Sequence, residues 1–204
     1  MTAIIDYGVG NLFSLVSSFN FIGENAVITN DKNIIEQSDR IVLPGVGAFS
    51  DAALKLANSG MGELVTELAK NGKPLLGICL GMQLLFDKSS EYGTHKGLGL
   101  IKGQIIPIPK SENIDLKIPH IGWNALLLTE NKSCLLKYID ERDFVYFVHS
   151  YYASYCEESV IASTDYGTRL TAAVQNKNVF GTQFHPEKSG TVGLNILRAF
   201  CEIN

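Results

Sequence analysis

In the stretch "LLGICLGMQLLF", residues 75–86, a cysteine stands between two glycines where an apolar run gives way to a helix-like pattern. A cysteine buried for packing has no need of Gly77 and Gly81. A cysteine raised on a sharp turn for chemistry does. The spacing G-x-C-x-G matches the nucleophile elbow with the nucleophile exchanged, and small neighbours let the backbone fold tightly around an outward-pointing side chain. The helix beginning near Leu80 points its amide groups and positive dipole end at the Cys79 sulfur, which favours thiolate and offers donors to a developing oxyanion. The bland alternative is a packed thiol in a strand-to-helix turn.

A sulfur nucleophile wants a base, and the base an orienting group. Among the four histidines, His185 follows a strand-like "VFGTQF" and opens "HPEKSG". Pro186 fixes the local backbone, and Glu187 can hold one ring nitrogen protonated and leave the other for the thiol. Alone, this is a polar surface loop with a glutamate. Beside the elbow, Cys79, His185 and Glu187 read as a triad. A second loop, "RIVLPGVGAF", ends a strand in Pro44, Gly45, Val46 and Gly47. Glycine-rich backbone at a strand's carboxyl end can present N–H groups to an anion, opposite the Leu80 amide. No G-K-[ST] or G-x-G-x-x-G follows to favour phosphate, and a simple turn is the competing reading.

These residues must be positioned by an alternating chain. "AIID", "AVIT", "RIVLPG" and "PLLGIC" read as strands. Between them, "NLFSLVSSFNFIG" puts Leu12, Leu15, Val16, Phe19 and Ile22 on one helical face. "NIIEQS" is a short helix, and "MGELVTELAKNG" an amphipathic one stopped at Gly72. Strands alternating with helices imply a doubly wound α/β domain with a mostly parallel sheet, and Cys79 then sits at the carboxyl end of a strand, where ligands bind. The second half packs strands closely: "IKGQIIPI", "GWNALLL", "FVYFVHSYYA", "VIASTDY", and a hairpin "AAVQNKNVFGTQF" turning at Asn176 to Asn178. "VGLNILRAFCEI" returns to helix. No linker interrupts the chain, so one domain over 1–204 is expected.

Composition narrows the function. Hydrophobic residues make up 46% and charged residues 19%, ordinary for a globular domain with a full core. A net charge of −4 gives no electrostatic footprint for nucleic acid. Every apolar run is interrupted before membrane-spanning length, and "MTAIIDYG" lacks the basic region and cleavage site of a secretory signal, so a cytoplasmic setting is expected. The cysteines Cys79, Cys134, Cys156 and Cys201 form no C-x-x-C pair, and neither a metal site nor a cofactor is called for. Cys134, Cys156 and Cys201 read as packing residues, His120 and His149 as structural or as supports behind the site residues, and His95 as solvated in a polar loop.

The stretches "DYGVGNLFS", "VLPGVGAF", "GICLGMQLLF", "HIGWN", "FVHSYY" and "GTQFHPEKSG" together resemble the class I, triad-type glutamine amidotransferases over nearly the whole chain, Asp6 to Gly190. "GICLGMQ" with "HPE" marks the class. "DYGxGN", "PGVGAF", "GWN" and "HPEKS" point to the branch whose glutaminase subunit docks on a (β/α)₈-barrel cyclase of histidine biosynthesis. The resemblance implies a flavodoxin-like fold and hydrolysis of L-glutamine to glutamate and ammonia through a thioester on Cys79. His185 would act as acid and base, Glu187 as its orienter, and the Leu80 amide with Val46 or Gly47 as oxyanion donors. In such proteins the Val46–Gly47 loop can need to turn a peptide before its N–H points inward, which ties activity to the partner. The resemblance further implies that Gln83 and Glu91 bind substrate glutamine and that the backbone at Ser150 and Tyr151 holds its carboxylate. It places Asn11, Trp123, Tyr146 and Lys188 on the docking face, with ammonia passing into the barrel. Alternatives stay open: a paralogue supplying ammonia for amidination of a bacterial surface sugar, a catalytically silent docking or regulatory subunit, or a stand-alone γ-glutamyl hydrolase.

Overall fold

A computed structural model describes residues 1–110, 116–130 and 132–203; positions 111–115, 131 and 204 of the expected 1–204 domain lie outside that description. The chain runs β1 (Thr2–Ile5), α1 (Leu12–Phe21), β2 (Ala26–Thr29), α2 (Lys32–Gln37), β3 (Arg40–Leu43), α3 (Phe49–Asn58), α4 (Met61–Lys70), β4 (Leu75–Ile78) and α5 (Leu80–Leu84). It continues through β5 (Phe86–Ser89), β6 (His95–Lys96), β7 (Ile101–Pro107), β8 (His120–Ala125), β9 (Leu127–Leu128), β10 (Phe144–His149) and β11 (Tyr151–Ser154). β12 (Val160–Asp165), β13 (Arg169–Asn176), β14 (Val179–Thr182) and α6 (Gly190–Cys201) complete it.

The main sheet has the order β2-β1-β3-β4-β14-β13-β12-β9. Its first five strands are parallel, and the pairings from β14 outward to β9 are antiparallel. The mostly parallel doubly wound architecture is therefore as the sequence implies, antiparallel additions included. The β1, β3 and β4 strands are buried along their whole length, because helices cover both faces. Strand alternation sorts the core: Ala3, Ile5, Ile41, Leu43 and Leu75 pack with Phe49, Leu56 and Val65 of α3 and α4. Ile4, Val42, Leu76 and Ile78 face the other way, onto Leu15 and Phe19 of α1 and Ile196, Leu197 and Phe200 of α6.

Several elements differ from the sequence reading, among them β5 and β6, which form where a polar loop is expected. "FVYFVHSYYA" is not one strand: it breaks at Ser150, so β10 pairs with β8 and β11 pairs with β7 in a separate four-stranded sheet. "GWNALLL" likewise divides at Leu126, whose N–H donates to Asp143 at 2.9 Å, and β9 leaves for the edge of the main sheet. The helix α3 has no counterpart in the sequence reading, although Phe49, Ala52 and Leu56 share its buried face; it has no side-chain cap at Ala48. Its missing cap is supplied from far along the chain, where the Glu91 carboxylate accepts from the Phe49 N–H at 2.6 Å.

Candidate active site

Cys79 joins β4 to α5 with φ 54° and ψ −110°. A non-glycine residue in this region carries strain of about 1–3 kcal/mol, held in place here by the surrounding packing. Its N–H is pinned to the Thr182 carbonyl of β14 at 2.7 Å. The flanking glycines are required by close approach. A Cβ at Gly81 would lie 1.8 Å from the Leu43 carbonyl oxygen, and one at Gly77 would lie 2.7 Å from the Gly81 carbonyl oxygen and the Met82 nitrogen. The elbow is thus wedged between its own helix and the end of β3.

The neighbouring parallel strand delivers the candidate base. Ile78 and Thr182 are register partners, so β4 and β14 end side by side, one running into Cys79 and the other into His185. His185 is 2% exposed, and its N–H donates to the Tyr146 carbonyl of β10 at 3.0 Å. Ser189 ties the turn down, donating its hydroxyl to the His185 carbonyl at 2.6 Å and accepting from the Tyr146 N–H at 3.0 Å. Nδ1 of His185 lies 2.7 Å from Glu187 Oε1, and both side chains are buried. Among the described residues Nε2 of His185 has no hydrogen-bond partner of ordinary geometry. Burial pulls the imidazole toward its neutral form, but Cys79 and Glu187 beside it outweigh that and raise its pKa to about 9.

Around this centre lies a cleft of about 790 Å³, lined by Val46, Gly47, Cys79, Leu80, Gln83, Glu91, Ser150, Tyr151, His185 and Lys188, among others. The structure therefore gathers Cys79, His185 and the candidate oxyanion and substrate residues around one cavity, while Glu187 stands off its wall, bonded to His185. Gly47 has φ 99°, and the loop ahead of it packs on the elbow: a Cβ at Gly45 would come within 2.9 Å of the Gly81 nitrogen. Gln83, on α5, is 6% exposed and donates from Nε2 to the Tyr151 carbonyl and to Gln183 Oε1, both at 3.1 Å. With both amide hydrogens committed, Gln83 presents only its carbonyl oxygen to a ligand.

A family model described as class-I glutamine amidotransferase matches residues 3–203. The chain belongs to the class-I glutamine amidotransferases. It is 49% identical over 203 residues to the imidazole glycerol phosphate synthase subunit HisH of Methanothermobacter thermautotrophicus, covering 100% of this chain and 98% of that protein. It is 49% identical over 205 residues to the subunit of the same name from Wolinella succinogenes, covering 100% of each. The structure of PurLQS from Thermotoga maritima superposes with a TM-score of 0.74 at 20% identity, over 98% of this chain and 96% of that one, a likeness of fold.

Of the interface candidates in this amidotransferase, Trp123 is 54% exposed and so is not a core tryptophan. It meets the Tyr146 ring edge-on at 6.1 Å, its cross-strand partner on β10, and the Lys188 ammonium lies 5.9 Å from that ring. Ile121 and Phe144 are exposed on the same two strands. Asn11 is exposed ahead of α1, and its side chain makes no capping bond. Lys188 belongs both to this patch and to the cleft lining.

Two site residues carried no role in the sequence reading. Gln183 is fully buried, bonded to Gln83, with Nε2 3.8 Å from the Cys79 sulfur. In sequence it is one polar position in a strand-like run, and only the register of β14 against β4 reveals it. Tyr7 lies within the quoted "DYGVGN"; its hydroxyl donates to the Pro44 carbonyl at 2.7 Å under the candidate oxyanion loop. Among the other histidines, His95 is not solvated as expected: it begins β6, and its Nε2 is buried without a partner among the described residues. Cys134 is exposed rather than packed, whereas Cys156 and Cys201 are buried. Among the described residues no cluster of His, Cys, Asp and Glu is arranged to hold a metal ion, and no helix is long and apolar enough to cross a membrane.

Proposed function

We propose that this amidotransferase is the glutaminase subunit of an imidazole glycerol phosphate synthase, acting in the cytoplasm as a single domain that passes ammonia to a (β/α)₈-barrel cyclase subunit. The observation that carries the reading is that Cys79 and His185 share one cleft, with Glu187 bonded to the far nitrogen of His185, in a chain similar over its full length to HisH subunits.

In this reading the Cys79 thiolate attacks the side-chain amide carbon of L-glutamine. The oxyanion that forms is held by the Leu80 N–H and by the Val46–Gly47 loop. His185, protonated and oriented by Glu187, gives its proton to the departing nitrogen, and ammonia leaves as the γ-glutamyl thioester forms. The neutral imidazole then takes a proton from water. The hydroxide attacks the thioester, glutamate is released, and Cys79 is restored. Gln83, Glu91 and the backbone at Ser150 and Tyr151 hold the amino-acid end. Glu91 has a second duty, because one of its oxygens already caps α3. The exposed patch of Trp123, Tyr146 and Lys188, with Asn11, meets the barrel.

The test is glutamine hydrolysis measured on the chain alone and with a barrel cyclase and its acceptor ligand. The expected result is low activity alone, a large rise in the complex, and none in Cys79→Ala. Fast hydrolysis indifferent to any barrel subunit would overturn the synthase assignment. Activation only by a barrel that amidates a surface sugar would move the chain to that paralogous role.

A further inference from the structure

The backbone at Ser150 and Tyr151 leads into an outer strand, and a pair of buried imidazoles holds it. β11 is the edge of the sheet β11-β7-β5-β6. The Ile108 N–H donates to the Ser150 carbonyl at 2.9 Å, so Ser150 faces the ladder. By the alternation of antiparallel pairs, Tyr151, opposite Pro107, turns its amide and carbonyl off the edge. The outward carbonyl receives two side-chain donors, Gln83 Nε2 at 3.1 Å and His149 Nδ1 at 2.9 Å.

A carbonyl oxygen only accepts, so Nδ1 of His149 carries its proton. Nε2 of the neutral ring is then a bare acceptor, 3.2 Å from His120 Nδ1, which must donate. The two histidines are cross-strand partners on β8 and β10. His120 is itself stacked on Phe147 at 4.8 Å and on Tyr166 at 3.9 Å. One polarity of hydrogen bonding therefore runs from His120 through His149 to the Tyr151 carbonyl. Gln83, the other donor to that oxygen, continues through Gln183 toward Cys79. The turn that separates the β8–β10 ribbon from the β11 edge is thereby clamped at the peptide facing the cleft.

We propose that His149, held in one tautomer by His120, is a positioning residue that aims the Tyr151 amide at the substrate α-carboxylate and so sets the preference for glutamine over amides lacking that group. The inference rests on the proposed reading of Ser150 and Tyr151 as the carboxylate site. Without the His149 donor, the carbonyl keeps only Gln83 as a side-chain donor, and the Tyr151–Tyr152 peptide is free to tilt about that single bond, carrying with it the Tyr151 Cα and so the amide on its other side. Glutamine loses a fixed partner for its carboxylate, whereas an amide without a carboxylate has no such contact to lose.

The experiment compares kcat/KM for L-glutamine and for γ-aminobutyramide, in the presence of the barrel subunit, for wild type, His149→Phe and His149→Asn. The glutamine preference is expected to fall on the order of ten-fold in His149→Phe, chiefly through KM, since misplaced contacts of this kind cost one to two decades. His149→Asn, whose amide can donate toward the same oxygen, should recover most of it. An unchanged preference in His149→Phe, or a parallel loss on both substrates, overturns the proposal. A wild-type enzyme with no preference for glutamine would instead overturn the carboxylate reading beneath it. Should His149→Phe not fold, nitrogen NMR of the wild-type chain decides. Neutral His149 protonated on Nδ1, its signal moving on addition of glutamine but not γ-aminobutyramide, supports the proposal; a proton on Nε2 overturns it.

Discussion

Tyr7 reaches from just past β1 to donate its hydroxyl to the Pro44 carbonyl at 2.7 Å, under the loop that carries Val46 and Gly47. The ring is buried, and burial, together with the charge on Cys79, pushes its pKa well above the ordinary tyrosine value, so the group stays a donor. Tyr7→Phe keeps the ring and deletes the bond, leaving a buried carbonyl short of a donor at a cost of about 1–3 kcal/mol. Because the loop it loosens is the candidate oxyanion loop, kcat for glutamine hydrolysis is expected to drop by about ten-fold or more with KM little changed, with outright loss of one oxyanion donor, about 10²–10³, as the upper bound. Steady-state kinetics in the complex check this; a variant with wild-type kcat would show that the loop holds its shape without Tyr7.

The elbow stores strain that a glycine would release. Cys79 adopts φ 54° with a Cβ in place, so Cys79→Gly is expected to be more stable than Cys79→Ala by about 1 kcal/mol, although both are inactive. Urea denaturation of the two variants side by side measures the difference. Equal midpoints would mean that the turn is not under backbone strain. The comparison isolates the cost of raising a side chain on this turn, a stability that the catalytic geometry gives up.

The exposed aromatic patch separates binding from folding. Trp123 is half exposed and packs on Tyr146, so Trp123→Ala should leave unfolding free energy within about 0.5 kcal/mol of wild type. If the patch is the barrel-docking face, the same change weakens the complex by roughly 2 kcal/mol or more, about thirty-fold in Kd. Titration calorimetry against the barrel subunit and thermal unfolding of the free chain give the two numbers. Retained affinity would move the interface elsewhere on the surface.

The candidate triad was legible because its signals are local: glycines flank Cys79, and Glu187 stands two positions from the imidazole it meets at 2.7 Å. The parallel sheet was legible because β1, β3 and β4 are buried on both faces and read as continuous apolar runs. What escaped was set by long-range pairing. The break at Ser150 hides inside an unbroken run of strand-forming residues, because the β10 and β11 halves are claimed by different partners, β8 and β7. The start of α3 is completed by Glu91, 42 positions away, so no local cap announces it. Gln183 acquires its neighbours only when β14 lies against β4.

The histidines predict a stability maximum with a different residue behind each flank. Burial pushes the pKa of His120 and of His149 down to about 4, with repulsion from His120 and His185 adding to the effect at His149. The folded state then binds fewer protons than the unfolded chain between about pH 4 and 6.5, so these rings make stability fall as the pH drops through that window. His185 has the opposite sign. Its pKa is raised from 6.5 to about 9, so its contribution is complete below 6.5 and is lost as the pH rises through 9. Denaturation midpoints measured across this range should peak near pH 6.5. Glu187→Gln removes the carboxylate that helps hold His185 protonated and is expected to flatten the alkaline flank while leaving the acid one. His149→Asn, which removes one buried imidazole, should do the reverse. An alkaline flank unaltered by Glu187→Gln would mean that Cys79, and not the 2.7 Å contact, holds the proton on His185.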